Sequence, residues 1–137
     1  MTEITLKGRT VYPGRAEGEA VVLQTPISFL GELSPVTGQL SIPGSEMDGQ
    51  SVRDKILVCP TGKGSTGGPT FAWLAQQAGN APKAIVCTAI EQVLALGVLT
   101  AEIPTVDRLD QDPTKVIRTG DYLVVDASQG IVKIIRD

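Results

Sequence analysis

KILVCPTGKGSTGG, from Lys55 to Gly68, is a short apolar run that empties into a glycine-rich turn carrying one hydroxyl pair, Ser65 and Thr66. Ile56 to Cys59 is continuously apolar and bounded by a charge and a proline, which suits a buried strand in a sheet covered on both faces. Pro60 ends its ladder. Gly62, Gly64, Gly67 and Gly68 let the backbone take positive φ and approach a ligand closely, while Lys63 and the exposed amides can meet an anion. Pro69 to Gln77 (PTFAWLAQQ) then reads as a helix with proline in its first turn and an anion-receptive N-terminus. Glycine-rich βα turns also serve tight geometry alone, so the loop is a candidate site and not yet an assigned one.

Familiar phosphate motifs do not fit. A Walker loop needs its Lys-Ser/Thr pair after the last glycine, whereas Lys63 precedes Gly64 and Ser65. Gly62, Gly64 and Gly67 match the G-x-G-x-x-G spacing, but the next acidic residue, Glu91, lies too far along for a dinucleotide ribose contact. The chain contains no histidine, so Ser65 has no triad partner here.

With 137 residues and 42% hydrophobic content, the chain has the length for one domain with a real core, expected to span residues 1–137. Aromatics make up only 4%, so Val, Ile, Leu and Ala must build that core. A net charge of −3 without any basic run argues against nucleic acid as a partner. No apolar stretch approaches membrane-spanning length and MTEITLKGR resembles no signal peptide, which points to a cytoplasmic protein without membrane contact. Cys59 and Cys87 each sit in an apolar strand-like run and read as buried reduced thiols. With no histidine, no metal site is expected in this chain.

Taken in order, Thr2 to Val11 alternates as a first strand, and the second half of Arg15 to Gln24 is another, with Gly18 marking a bulge or a close backbone approach. Pro26 to Gly49 is a long, turn-rich excursion around Pro-Val-Thr-Gly. A loop of that length is usually functional or packs on a partner, so Ile27 to Leu33, with Phe29 and Leu30, is expected to form a partner surface together with the glycine loop. Lys83 to Thr88 is a second buried strand, giving a parallel β-α-β crossover. Glu91 to Leu99 has helical spacing, and Ala101 to Val106 reads as a short strand near an edge because of Pro104. Thr114 to Ile117 suits one helical turn, and DYLVVD (Asp121 to Asp126) with IVKII (Ile131 to Ile135) is a hairpin. The mixture predicts an α/β domain, barrel-like or three-layered, and not a doubly wound sheet.

Five blocks in the same order, GRAEGEA (Gly14 to Ala20), ISFLGELSPVTG (Ile27 to Gly38), LVCPTGKGSTGG (Leu57 to Gly68), NAPKAIV (Asn80 to Val86) and LALGVLTAEIPTV (Leu94 to Val106), resemble the small subunit, or swivel domain, of the aconitase X family. Two departures stand out: Glu32 occupies a position where the family often has glycine, and Gly67-Gly68-Pro69 follows the Ser-Thr pair where small residues are usual. The resemblance implies a swivelling β/β/α domain like the mobile domain of aconitase, a mixed sheet with flanking helices, paired with a separate large subunit. It further implies a hydro-lyase acting on a small hydroxy acid, either (R)-5-phosphomevalonate in isoprenoid synthesis or cis-3-hydroxy-L-proline. Ser65 would be the proton acceptor, with Gly62, Lys63, Gly64, Thr66 and Gly67 around the substrate. An iron or iron–sulfur centre would belong to the large subunit, with no cofactor in this chain. The resemblance assigns nothing to Arg15, Glu17 or Glu32.

Dehydration next to a carboxylate requires a base for the α-proton and an acid for the departing hydroxide. A serine serves as base only where dipoles and cations stabilise its alkoxide, and Lys63, the loop amides and the following helix N-terminus can supply that field. The alternative is a non-catalytic anion- or phosphate-binding regulatory subunit using the same loop. A phosphocarrier swivel domain is excluded, since such domains carry a phosphohistidine.

Overall fold

The computed structural model describes residues 2–137, which form one eight-stranded sheet in the order β1-β8-β7-β3-β4-β5-β6-β2. The strands are β1 (Thr2–Lys7), β2 (Arg9–Tyr12), β3 (Arg15–Val22), β4 (Ile56–Cys59), β5 (Ala84–Cys87), β6 (Thr105–Asp107), β7 (Tyr122–Asp126) and β8 (Ile131–Arg136). Helices α2 (Gly68–Gln77) and α3 (Gln92–Ala101) cross between the parallel strands, and two single turns, α1 (Phe29–Glu32) and α4 (Pro113–Val116), complete the chain.

Strand β3 is the hinge between two half-sheets. Its first residues, Arg15 to Glu19, pair antiparallel with β7, and Ala20 to Val22 pair parallel with β4. The sheet therefore turns a corner, and the antiparallel half folds over one face of the parallel half. Alternation within the apolar strands makes this possible. Ile56 and Val58 of β4 and Ala84 and Val86 of β5 pack with Leu123, Val125, Val132 and Ile134 of the hairpin, whereas Leu57, Cys59, Ile85 and Cys87 face Ala72 and Ala75 of α2 and Val98 of α3. Two cores on opposite faces of β4 and β5 explain why those strands are apolar throughout. The layers are β, β and α.

Gly8 closes the structure. A single first strand is expected from the sequence, but the chain bends at Gly8, so that β1 pairs with β8 at one end of the sheet and β2 with β6 at the other. A Cβ on Gly8 would stand 2.5 Å from the Asp107 carbonyl oxygen, and the Gly8 amide donates to the Gly130 carbonyl at 2.8 Å. β6 is consequently covered by β2 and is not an edge. Pro104 is tolerated because it precedes the strand, offering its carbonyl to the Ile85 amide. β3 runs over all of Arg15 to Val22, with Gly18 passing under the Asp54 carbonyl, the close approach its position suggested.

The excursion after β3 is anchored internally. Ile27, Phe29, Leu33, Leu40 and Val52 are all buried in the helix-side core. The Asn80 side-chain amide donates to the carbonyls of Pro35 and Val36, both at 2.9 Å, holding the Pro-Val-Thr-Gly turn against the end of α2. The expected partner surface over Ile27 to Leu33 is thereby corrected: only Leu30 of its large apolar residues remains exposed, at 37%. The rest had to be buried because the layer above β4 is filled from this segment as well as from the helices.

Candidate active site

The parallel strands β4, β5 and β6 all end on the same side, and the loops that leave their carboxyl ends gather there, the usual position of a site in an open α/β sheet. Pro60 to Gly67 leaves β4 and enters α2. Ser65 lies near its tip, half-buried, with φ of 144°. Such a backbone is uncommon for a residue with a Cβ and costs about 1–3 kcal/mol where it occurs, so the surroundings hold it. The Ser65 carbonyl accepts from the Gly68 amide at 2.9 Å, which folds the loop back onto the start of α2.

Three neighbours fix the loop. Beneath it, Gly62 is buried against the N-terminus of α3, where a Cβ would collide with Glu91 Oε1 and stand 2.5 Å from Leu94 Cβ. Glu91 is already committed as the α3 cap, accepting from the Val93 amide at 2.8 Å and the Leu94 amide at 2.6 Å. Beside it, Ile27 and Gly62 form a parallel bridge: the Ile27 amide donates to Thr61 and the Lys63 amide donates to Ile27. Above it, Leu30 touches Gly67, whose Cβ position lies 3.3 Å from Leu30 Cδ2.

Lys63 is exposed, and its Nζ stands 2.9 Å from Glu32 Oε2. Glu32 also accepts from the Ser28 amide through Oε1 at 2.8 Å. Gly64 and Thr66 are exposed, and nothing lies within 4 Å of a Cβ on Gly64. α2 begins without any side-chain cap and with proline in its first turn, leaving the positive end of the helix open beside Ser65. A crevice lined by Ile27, Ser28, Lys63, Gly68 and Glu91 penetrates only about 10 Å³, space for one water. At this site, room for anything larger than a water exists only on the open face of the loop.

Of the residues read from the sequence, Lys63, Gly64 and Thr66 are exposed on the loop, Ser65 and Gly67 are half-buried, and Gly62 is buried beneath it. Sequence reasoning missed Glu91 as the support of Gly62 and Glu32 as the partner of Lys63. Glu91 was legible only as the start of a helix, and Glu32 only as a departure from the family's usual glycine, because its partner is 31 residues away. Arg15 and Glu17 lie at the opposite, amino end of the parallel strands. There Glu17 accepts from the Tyr122 hydroxyl at 2.8 Å on the outer sheet face.

The cysteines do not fit a metal centre. Cys59 and Cys87 are paired in register on β4 and β5 with their sulfurs 3.4 Å apart, both free and sealed in the core. The hydrogen bond with Cys59, reinforced by burial, pushes the Cys87 thiol well above its usual range, the opposite of what a thiolate ligand needs. Among the described residues no group of three or more His, Cys, Asp or Glu is placed to hold an ion. Nor is any helix among them long and apolar enough to cross a membrane.

Comparison with known proteins gives a consistent result. The family model described as the aconitase X swivel domain matches residues 5–134. The chain is 40% identical over 136 residues to the phosphomevalonate dehydratase small subunit of Methanosarcina acetivorans, covering 99% of this chain and 94% of that one. It is 43% identical over 129 residues to the protein of the same name from Thermococcus sibiricus, covering 94% and 97%. The crystal structure of Thermococcus kodakaraensis aconitase X in its holo-form superposes with a TM-score of 0.91 at 41% identity, over 97% of this chain and 99% of that chain.

Proposed function

The chain belongs to the aconitase X swivel-domain family, and we propose that it is the small subunit of a phosphomevalonate dehydratase, contributing Ser65 as the base. The substrate follows from relatives of that name at about 40% identity over nearly their whole length. The observation that carries the role of Ser65 is its placement: a hydroxyl on a strained, open loop, flanked by Lys63 and the uncapped N-terminus of α2.

The chemistry follows from those groups. A substrate carboxylate facing the Gly64 to Gly67 amides brings its α-carbon to the Ser65 hydroxyl. The helix end and Lys63 favour the alkoxide once the hydroxyl proton has passed to solvent, and the alkoxide takes the α-proton, which restores the hydroxyl. The electron pair left on the α-carbon forms the double bond as hydroxide leaves the neighbouring carbon. The acid that receives this hydroxide is assigned to a large subunit, together with the iron or iron–sulfur centre that the family resemblance implies. The open loop face supports such a division, since one wall of a small-molecule site encloses little of its ligand.

Ser65→Ala in the complex with the large subunit tests the reading. Turnover of (R)-5-phosphomevalonate should fall by roughly two to four orders of magnitude, with solvent exchange of the substrate α-proton falling alongside. Undiminished rates for both would remove Ser65 from the mechanism and favour a regulatory, anion-binding subunit.

A further inference from the structure

The ion pair at the mouth of the loop is asymmetric. Both oxygens of Glu32 are engaged, one by the Ser28 amide and one by Lys63, and its side chain is 18% exposed. Lys63 is 56% exposed and has no other carboxylate within 4 Å among the described residues. Glu91, which lines the same crevice, spends both oxygens on α3 amides. Glu32 is thus the fixed dock and Lys63 the movable member, parked where an incoming anion would meet it.

The segment that carries Glu32 is held in place independently of the ion pair. Ile27 is laddered onto Thr61 and Lys63 by backbone bonds, Phe29 and Leu33 are buried, and Gly31 takes φ of 87° to turn Glu32 back toward the loop. Moving Lys63 away leaves Glu32 with its Ser28 bond and a partly solvated second oxygen, so releasing the lysine costs little.

We propose that Glu32 is a positioning residue that acts as the resident counter-ion of Lys63, and that the anionic group of the substrate displaces it. With Glu32 in place the pair is formally neutral, and the loop attracts anions only through its amides and the α2 end. On binding, Lys63 exchanges Glu32 for the substrate carboxylate or phosphate. Glu32 thereby tempers affinity for anions at the site. The inference rests on the dehydratase reading for the identity of the substrate, but not for the exchange itself.

The test compares Glu32→Gln, which keeps the Ser28 bond and removes the charge, in wild-type and Lys63→Met backgrounds of the two-subunit complex. Glu32→Gln should lower KM for (R)-5-phosphomevalonate about three- to fivefold, the factor expected of a half-exposed ion pair. The change should be carried by KM and not kcat, and should vanish when Lys63 is methionine. An unchanged or raised KM overturns the proposal, as does an equal drop in the Lys63→Met background, which would mean that Glu32 repels the substrate directly. Titrating the isolated chain with inorganic phosphate, followed at the Lys63 and Gly64 amides by NMR, reads the same exchange without turnover. The Kd should fall by the same factor in Glu32→Gln, and no change would refute it. A complex that fails to dehydrate phosphomevalonate would sink the dehydratase reading, leaving the phosphate titration to decide the exchange.

Discussion

Gly62→Ala separates a glycine kept for packing from one kept for a ligand. The added Cβ has no space: it meets the carboxylate that caps α3 and lies 2.5 Å from the Cβ of Leu94, a core residue. Glu91 must give up its bonds to the Val93 and Leu94 amides, costing about 1 kcal/mol for a lost cap, and the shift of Leu94 adds about 1–3 kcal/mol of overpacking. The sum, roughly 2–4 kcal/mol, corresponds to a fall in Tm of about 10 °C for a domain of this size. Thermal unfolding of the isolated chain followed by circular dichroism reads it directly, with Gly64→Ala as the control. A Cβ on Gly64 touches nothing and its φ is not positive, so that variant should melt within about 2 °C of the parent. A Gly62→Ala protein as stable as the parent would refute the account of how α3 supports the loop.

The isolated chain should not turn over phosphomevalonate, and co-expression with the large subunit should restore activity; turnover by the chain alone would end the two-subunit reading. Phe29→Asp should unfold the chain, because Phe29 is buried beside Gly97 and Ala72, whereas Leu30→Asp should leave its Tm within a few degrees and weaken assembly, measured by co-purification. Asp121→Asn should cost about 1.5–3 kcal/mol, since the carboxylate accepts from Arg136 and from the Arg118 amide and so ties β8 to the turn before β7. Acid should act on the same group: hydrogen bonding from Arg136 holds Asp121 below the usual carboxylate range, and bonding from Thr114 does so for Asp112. A depressed folded-state pKa gives stability that is complete above the unfolded value and is lost as pH falls through the folded one. Unfolding free energy should therefore drop below about pH 4, and less steeply in Asp121→Asn.

Local signals were enough for the central strands, the crossover helices and the C-terminal hairpin. The apolar runs at Ile56 to Cys59 and Lys83 to Thr88, the proline-led helix after Gly68 and the hairpin at the C-terminus depend on residues adjacent in the chain, so propensity and periodicity reveal them. Ser65 and Lys63 were legible for the same reason, since one contiguous turn carries both. What the chain does with Gly8 was not legible, because the bend answers to the carbonyls of Asp107 and Gly130, about a hundred residues on. Nor was the burial of Phe29 and Leu33, which a one-dimensional reading leaves as an exposed apolar patch until the space above β4 is known to need filling. The sequence by itself determined the candidate loop, with Ser65 and Lys63 on it, and the strand and helix that carry it. Only the tertiary structure decided that Glu91 props Gly62 and that Glu32 parks Lys63, because each is a contact between segments about 30 residues apart, set by sheet order and not by any local pattern.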